Sequence, residues 1–215
     1  PELVLDGVCR MGRGELERVK THFGFAFASE DYRDLLARQP DIVIVSSPHK
    51  FHFEHAKAAL EAGAHVMCEK PMTLDPAQAW ELVAIARKAG RELLVPNSHN
   101  YLPHVHELRQ RITGGEIGTL EHVTCSMISI TREVFVGGEG LKRWDSAFFR
   151  PDRSTWQDPQ GGGGFAWGQL SHSLALGLYL TGLVPERVSA LTRDQDGVDI
   201  ADAAVVGLSG GATGS

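Results

Sequence analysis

Apolar positions in the first ninety-odd residues fall into short runs at 3–9, 42–46, 65–68 and 92–95, with stretches of helical apolar spacing between them at 15–22, 30–38, 51–62 and 76–88. Short strands alternating with helices predict βαβ units and a parallel sheet. Ile42-Val43-Ile44-Val45 is apolar at consecutive positions, which predicts a strand covered on both faces near the sheet centre. Asp75 is placed to cap the last of these helices, with Pro76 at its first position and Gln78 at its third, and Gly90 to close it in the left-handed conformation. Gly63 does the same after 51–62.

The pattern changes after Asn100. A helix at 103–113 ends at Gly114-Gly115 and leads into a β-rich run at 119–131 whose alternation suits a sheet with one covered face. The stretch 134–164, rich in Gly, Pro, Asp and Arg, reads as an ordered excursion or lid. The glycine run 161–164 precedes an apolar helix at 171–181, strands at 187–192 and 203–209 follow, and Gly210-Gly211 predicts a hairpin turn with a strand returning toward Ser215. The expected fold is α/β: an incomplete Rossmann-like parallel sheet over 1–100, then an incomplete α+β domain over 101–215 with a mostly antiparallel open sheet.

Composition narrows the function. The 215 residues carry 21 Lys+Arg against 27 Asp+Glu, a formal charge of -6, with no basic block, so a nucleic-acid partner is not expected. No apolar run reaches the roughly 18 residues of a membrane span. Cys9, Cys68 and Cys125 are odd in number and widely separated, and read as reduced core residues. Without a signal-peptide pattern the expected compartment is the cytoplasm, and without an initiator Met the chain is expected to begin inside a longer one.

Lys70 ends an apolar strand, where the carboxyl edge of a parallel sheet forms a ligand crevice, and Pro71 fixes the chain direction after it. Partial desolvation there lowers a lysine pKa toward values useful for proton transfer; the plainer alternative is a strand-end lysine paired with Glu69. Arg10 ends an earlier strand, where dinucleotide folds place an acid against a ribose 2′-hydroxyl or a cation against a 2′-phosphate. With Arg13 across Gly12, it favours NADP over NAD, against the alternative of a solvated loop arginine. No G-x-G-x-x-G is present, and the run 161–164 does not sit in a βαβ unit of the first domain, so it reads as a flexible or tightly turning loop. His49, His52 and His55 recur every three residues, but no zinc motif accompanies them and no metal is expected. His104 and His106 read as surface residues. Trp156 and Trp167 flank the glycine run and suit either a sugar face or lid packing.

The words Ser46-Ser47-Pro48-His49-Lys50-Phe51-His52, then 58–63, then His65-Val66-Met67-Cys68-Glu69-Lys70-Pro71 resemble the signature of the Gfo/Idh/MocA family of nicotinamide-dependent sugar and cyclitol oxidoreductases. The resemblance extends through Thr113-Gly114-Gly115-Glu116-Ile117-Gly118, Trp156, the glycine run and His172, and implies a member lacking the first βα unit and the end of the second domain. It implies NAD or NADP as cofactor, Lys70 and His172 as catalytic residues, Ser46, Ser47, Pro48, His52 and Glu69 at the cofactor wall, and a homo-oligomer. Lys70, Trp156, Gln169 and His172 would face a sugar, cyclitol or polyol. Two departures stand out. Gly168 occupies the place of an acidic residue common in the family, and His99 and Asn100 replace a common arginine. Rival readings are a lyase or glycosidase of the same family that borrows the nicotinamide transiently, and an inactive fragment or binding module.

Overall fold

The computed structural model describes residues 3–137 and 153–215. Two compact units meet in the chain at Val95/Pro96, slightly before the expected boundary. In the first unit β1 (Gly7–Cys9) pairs in parallel with β2 (Phe27–Ser29), with α1 (Arg13–Phe23) between them and α2 (Tyr32–Leu36) after β2. A second parallel sheet runs β3-β4-β5, from Ile42–Val45, His65–Cys68 and Leu93–Leu94, with α3 (His52–Glu61) and α4 (Pro76–Ala89) as its crossovers. The capping expectation holds: the Asp75 carboxylate accepts from the Ala77 amide, and Gly90 closes α4 at φ 63°.

A core of Val45, Ala56, Ala59, Leu60, Val66, Cys68, Leu82 and Ala86 joins β3 and β4 to α3 and α4. It lies on one face only. Ile42 and Ile44 point the other way and are 53% and 61% exposed, and β3 is the edge of its sheet among the described residues, so the expectation of a doubly covered central strand is corrected. Continuous apolar character marks a strand able to be buried on both faces; it does not itself supply the second layer. The first strand is also shorter than expected, beginning at Gly7, and β2 was not anticipated because Phe27 and Ser29 give too brief an alternation.

In the second unit α5 (Pro103–Thr113) packs on α8 (Ser171–Thr181), where His106 Nδ1 and the Tyr179 hydroxyl lie 3.1 Å apart. Both helices match their expected spans. The sheet runs β6-β9-β8-β7, from His122–Val123, Thr213–Gly214, Val198–Leu208 and Pro185–Gln195; β7 and β9 pair antiparallel with β8, and β6 pairs parallel with β9. The hairpin at Gly210-Gly211 is present, but the run 119–131 gives only the two residues of β6 before α6 (Arg132–Val136). Ile128 and Ile130 there are almost fully exposed, so their alternation finds no partner strand among the described residues. Of the expected lid, 138–152 lies outside the described residues; α7 (Arg153–Trp156) follows.

Candidate active site

The carboxyl ends of β3 and β4 lie side by side, with Val45 opposite Cys68 in parallel register. Each continues into a short loop, Ser46-Ser47-Pro48 from one and Glu69-Lys70-Pro71 from the other, and the Glu69 amide donates to the Val45 carbonyl to hold them together. His52, at the start of α3 and 1% exposed, completes the link. Its Nδ1 lies 2.7 Å from the Pro71 carbonyl and its Nε2 2.7 Å from the Ser47 carbonyl. A neutral imidazole has one N–H, so both bonds form together only when the ring carries two protons. His52 thus sits between the two loops with one ring nitrogen against a carbonyl of each, and a neutral ring donates to one of them at a time. His55 and the Ser47 hydroxyl are 3.0 Å apart, and burial pushes the His55 pKa down.

Lys70 stands half-buried at this edge, its backbone amide donating to Glu69 Oε2. Burial lowers its pKa below the ordinary lysine value, and the neighbouring Glu69 carboxylate only partly offsets that. An amine so placed can both release and accept a proton nearer neutrality than a surface lysine. Cys68, two residues earlier at the end of β4, is fully buried and its thiol is pushed up to about 12, so it is an unreactive core group.

Arg10 is half-buried just past β1, and Arg13 is exposed at the start of α1. Gly12 between them takes φ 91°, and its amide donates to Glu30 Oε1 at 2.7 Å, which anchors the loop to the end of β2. The donor set of the unit, a guanidinium past β1 and a lysine past β4, suits an anionic dinucleotide lying along the carboxyl edge.

In the second unit the glycines 161–164 are all buried. A side chain at Gly163 would sit 2.7 Å from the Trp156 carbonyl oxygen. The run is thus a tight packed turn, the second of the two expected forms. It feeds a π-helical segment, Ala166–Leu170, and then α8 with His172 at its second position. Trp156 is half-buried with its ring edge-on to Phe135 at 6.1 Å, in a packing role; Gln169 is half-buried on the π-segment. A Cβ at Gly168 would lie 2.7 Å from Phe135 and 3.0 Å from Trp156, so those rings stand where an acidic side chain at this position would begin. The His99 ring stands edge-on to His172 at 6.0 Å, so the residue replacing the family arginine reaches His172. Asn100 beside it has a buried Oδ1 with no hydrogen-bond partner among the described residues. Neither was assigned a role from the sequence; the departure from the family pattern at 99–100 was the available signal.

The family pattern described as "Oxidoreductase family, NAD-binding Rossmann fold" matches residues 1–96, and that described as "GFO/IDH/MocA C-terminal domain" matches 105–215. The chain belongs to the Gfo/Idh/MocA oxidoreductase family. Among curated Gfo/Idh/MocA relatives, a D-glucoside 3-dehydrogenase of Escherichia coli (strain K12) is 39% identical over 120 residues, covering 55% of this chain and 34% of that one. An inositol 2-dehydrogenase/D-chiro-inositol 3-dehydrogenase of Lactiplantibacillus plantarum is 32% identical over 115 residues, 52% of this chain and 33% of that one. The crystal structure of an oxidoreductase domain protein from Kribbella flavida superposes with a TM-score of 0.80 at 26% identity, covering 98% of this chain and 57% of that one. The chain thus spans about a third of the length of these curated relatives. Among the described residues no helix is long and apolar enough to cross a membrane, and no group of three or more His, Cys, Asp or Glu could hold a metal ion.

Proposed function

We propose that this chain is part of an NAD(P)-dependent dehydrogenase that moves hydride between nicotinamide and a secondary hydroxyl or keto carbon of a sugar, cyclitol or related polyol. The observation that carries this reading is Lys70, half-buried with a depressed pKa at the carboxyl edge of a sheet of the NAD-binding Rossmann class. Nicotinamide, when bound, supplies the two-electron acceptor or donor. In the oxidising direction neutral Lys70 hydrogen-bonds the substrate hydroxyl and takes its proton as the carbon loses hydride; in the reducing direction the ammonium returns it. His172 is the second group assigned to the reaction, with the His99 ring edge-on to it. Ser46 to Pro48 line the nicotinamide side. His52 contributes by holding the loops, since both ring nitrogens are already engaged. Arg10, with Arg13, favours the 2′-phosphate of NADP. The named substrates of the relatives, glucosides and inositols, define the class to be tried first.

The test follows nicotinamide absorbance while glucosides and inositols are offered with NAD+ or NADP+. Steady reduction supports the dehydrogenase. Product without net cofactor change means the lyase or glycosidase reading, and neither binding nor turnover in a version extended at both ends means a binding module.

A further inference from the structure

The antiparallel ladder between β7 and β8 slips by one residue: Arg193 opposes Ala201 while Asp194 opposes Asp199, so Ile200 is extra. A bulge of this kind turns two otherwise alternating positions to the same side. Asp199, Ile200 and Asp202 are accordingly all half-covered while Ala201 and Ala203 are exposed. Asp199 Oδ2 accepts from the Ala166 amide at 2.6 Å, at the first residue of the π-segment that leads to His172. Its Oδ1 presses so close to Gly164 that a Cβ there would stand 2.1 Å away, so only glycine at φ 100° admits the carboxylate. Both oxygens of Asp202 are shut off from solvent and have no hydrogen-bond partner among the described residues. The bulge turns the Asp199 carboxyl to the same side, where its charge acts on Asp202.

Two ionised carboxylates have no hydrogen to share; one proton between them makes the contact a bond. We propose that Asp199 and Asp202 hold a single proton between them and act as positioning residues for the π-turn that carries His172. The proton resides on Asp202, whose pKa is raised to about 6 by burial, by the bond to Asp199 and by the nearby charges of Asp199 and Asp194. The other charged groups of the elements packed here are Glu186, Arg187 and Arg193 on β7, and Arg132 and Glu133 on α6; Arg132 donates to Gln195 Oε1. The π-segment and β9 carry none.

Because the folded value lies above the unfolded one, the pair's contribution is fully present below about pH 4 and is lost as pH rises through about 6. The experiment measures melting temperature from about pH 4 to about pH 8 and the exchange protection of the Ala166 amide, in the wild type and in D202N, D199A and D199N. In D202N a permanent N–H replaces the shared proton, so the melting temperature should lose the fall of several degrees seen in the wild type across pH 6. D199A should lose Ala166 protection at every pH and move the His172 ring resonance; D199N, which keeps the acceptor, should restore both. Identical pH dependence in the wild type and D202N overturns the shared proton. An Ala166 amide or a His172 resonance indifferent to D199A overturns the positioning. No readout here needs turnover, so failure would leave the hydride-transfer reading standing, and failure of that reading would leave this one.

Discussion

The two units fix their candidate functional groups with opposite chemistry. In the first unit the loops after β3 and β4 are fastened by a buried imidazole that faces two carbonyl oxygens. In the second, the turn before His172 is gripped by a carboxylate that accepts a backbone amide. The first clamp is continuous with a helix and two strands that share a core, and it leaves Lys70 beside it with a depressed pKa. The second sits on a bulged ribbon and tolerates no side chain at Gly164. A polar group meant for chemistry keeps its orientation only when another group takes over the backbone's hydrogen-bonding needs, and which polarity of clamp is used depends on whether the loop presents C=O or N–H inward.

Removing the reactive group while keeping both clamps should have the largest effect. Lys70→Met is expected to cut kcat by about 10³-fold, within the range of a lost general acid–base, with cofactor affinity nearly unchanged in a binding titration. An equal loss of affinity would place Lys70 in binding alone. Breaking the first clamp comes next: His52→Ala removes the imidazole donor that lies between two loop carbonyls and leaves a cavity at the start of α3, for about 3 kcal/mol of stability by denaturant unfolding. A cost near zero would show that the two loops hold without it.

Gly168→Asp supplies the acid that the family resemblance implies at this place but forces it into Phe135 and Trp156, so overpacking should cost about 2 kcal/mol and activity should not rise. A gain in kcat would mean that the rings yield and that the relay can be rebuilt. Smallest is Arg10→Ala, expected to weaken NADPH by roughly tenfold and NADH hardly at all, as measured by fluorescence titration. Equal weakening of both would remove the 2′-phosphate from the account.

Much of this was legible in the sequence for definite reasons. Helices α4 and α5 carry their boundaries in Asp75, Pro76, Gly90, Pro103 and Gly114-Gly115, and the strand ends at Val45 and Cys68 follow from short apolar runs closed by Ser-Pro and Lys-Pro. Lys70 was found from its place at a strand end. The role of His52 was not, because nothing in a three-residue histidine spacing reveals that both nitrogens meet carbonyls from loops 5 and 19 residues away. The run 119–131 misled because alternation needs a partner strand to become a sheet. Asp199 and Asp202 were invisible for a related reason: three apart on a regular strand they would point to opposite faces, and the bulge at Ile200 that unites them is a property of the ladder. Gly168 reads in the sequence as the loss of an acid, and only the packing shows that the Phe135 and Trp156 rings close around it.

The central claim concerns the protonation of one amine. Burial favours the neutral form of Lys70, so the folded chain releases that proton below the ordinary 10.5, and its stability rises with pH between the lowered value and 10.5, where the unfolded chain binds more protons. An NMR titration of the lysine side-chain signals, with Lys70 assigned through Lys70→Met and repeated with NADPH or NADH present, reads this directly. The account predicts that Lys70 titrates below every exposed lysine and that its midpoint moves again when the dinucleotide binds. A Lys70 signal that titrates with the surface lysines and ignores the cofactor would contradict it.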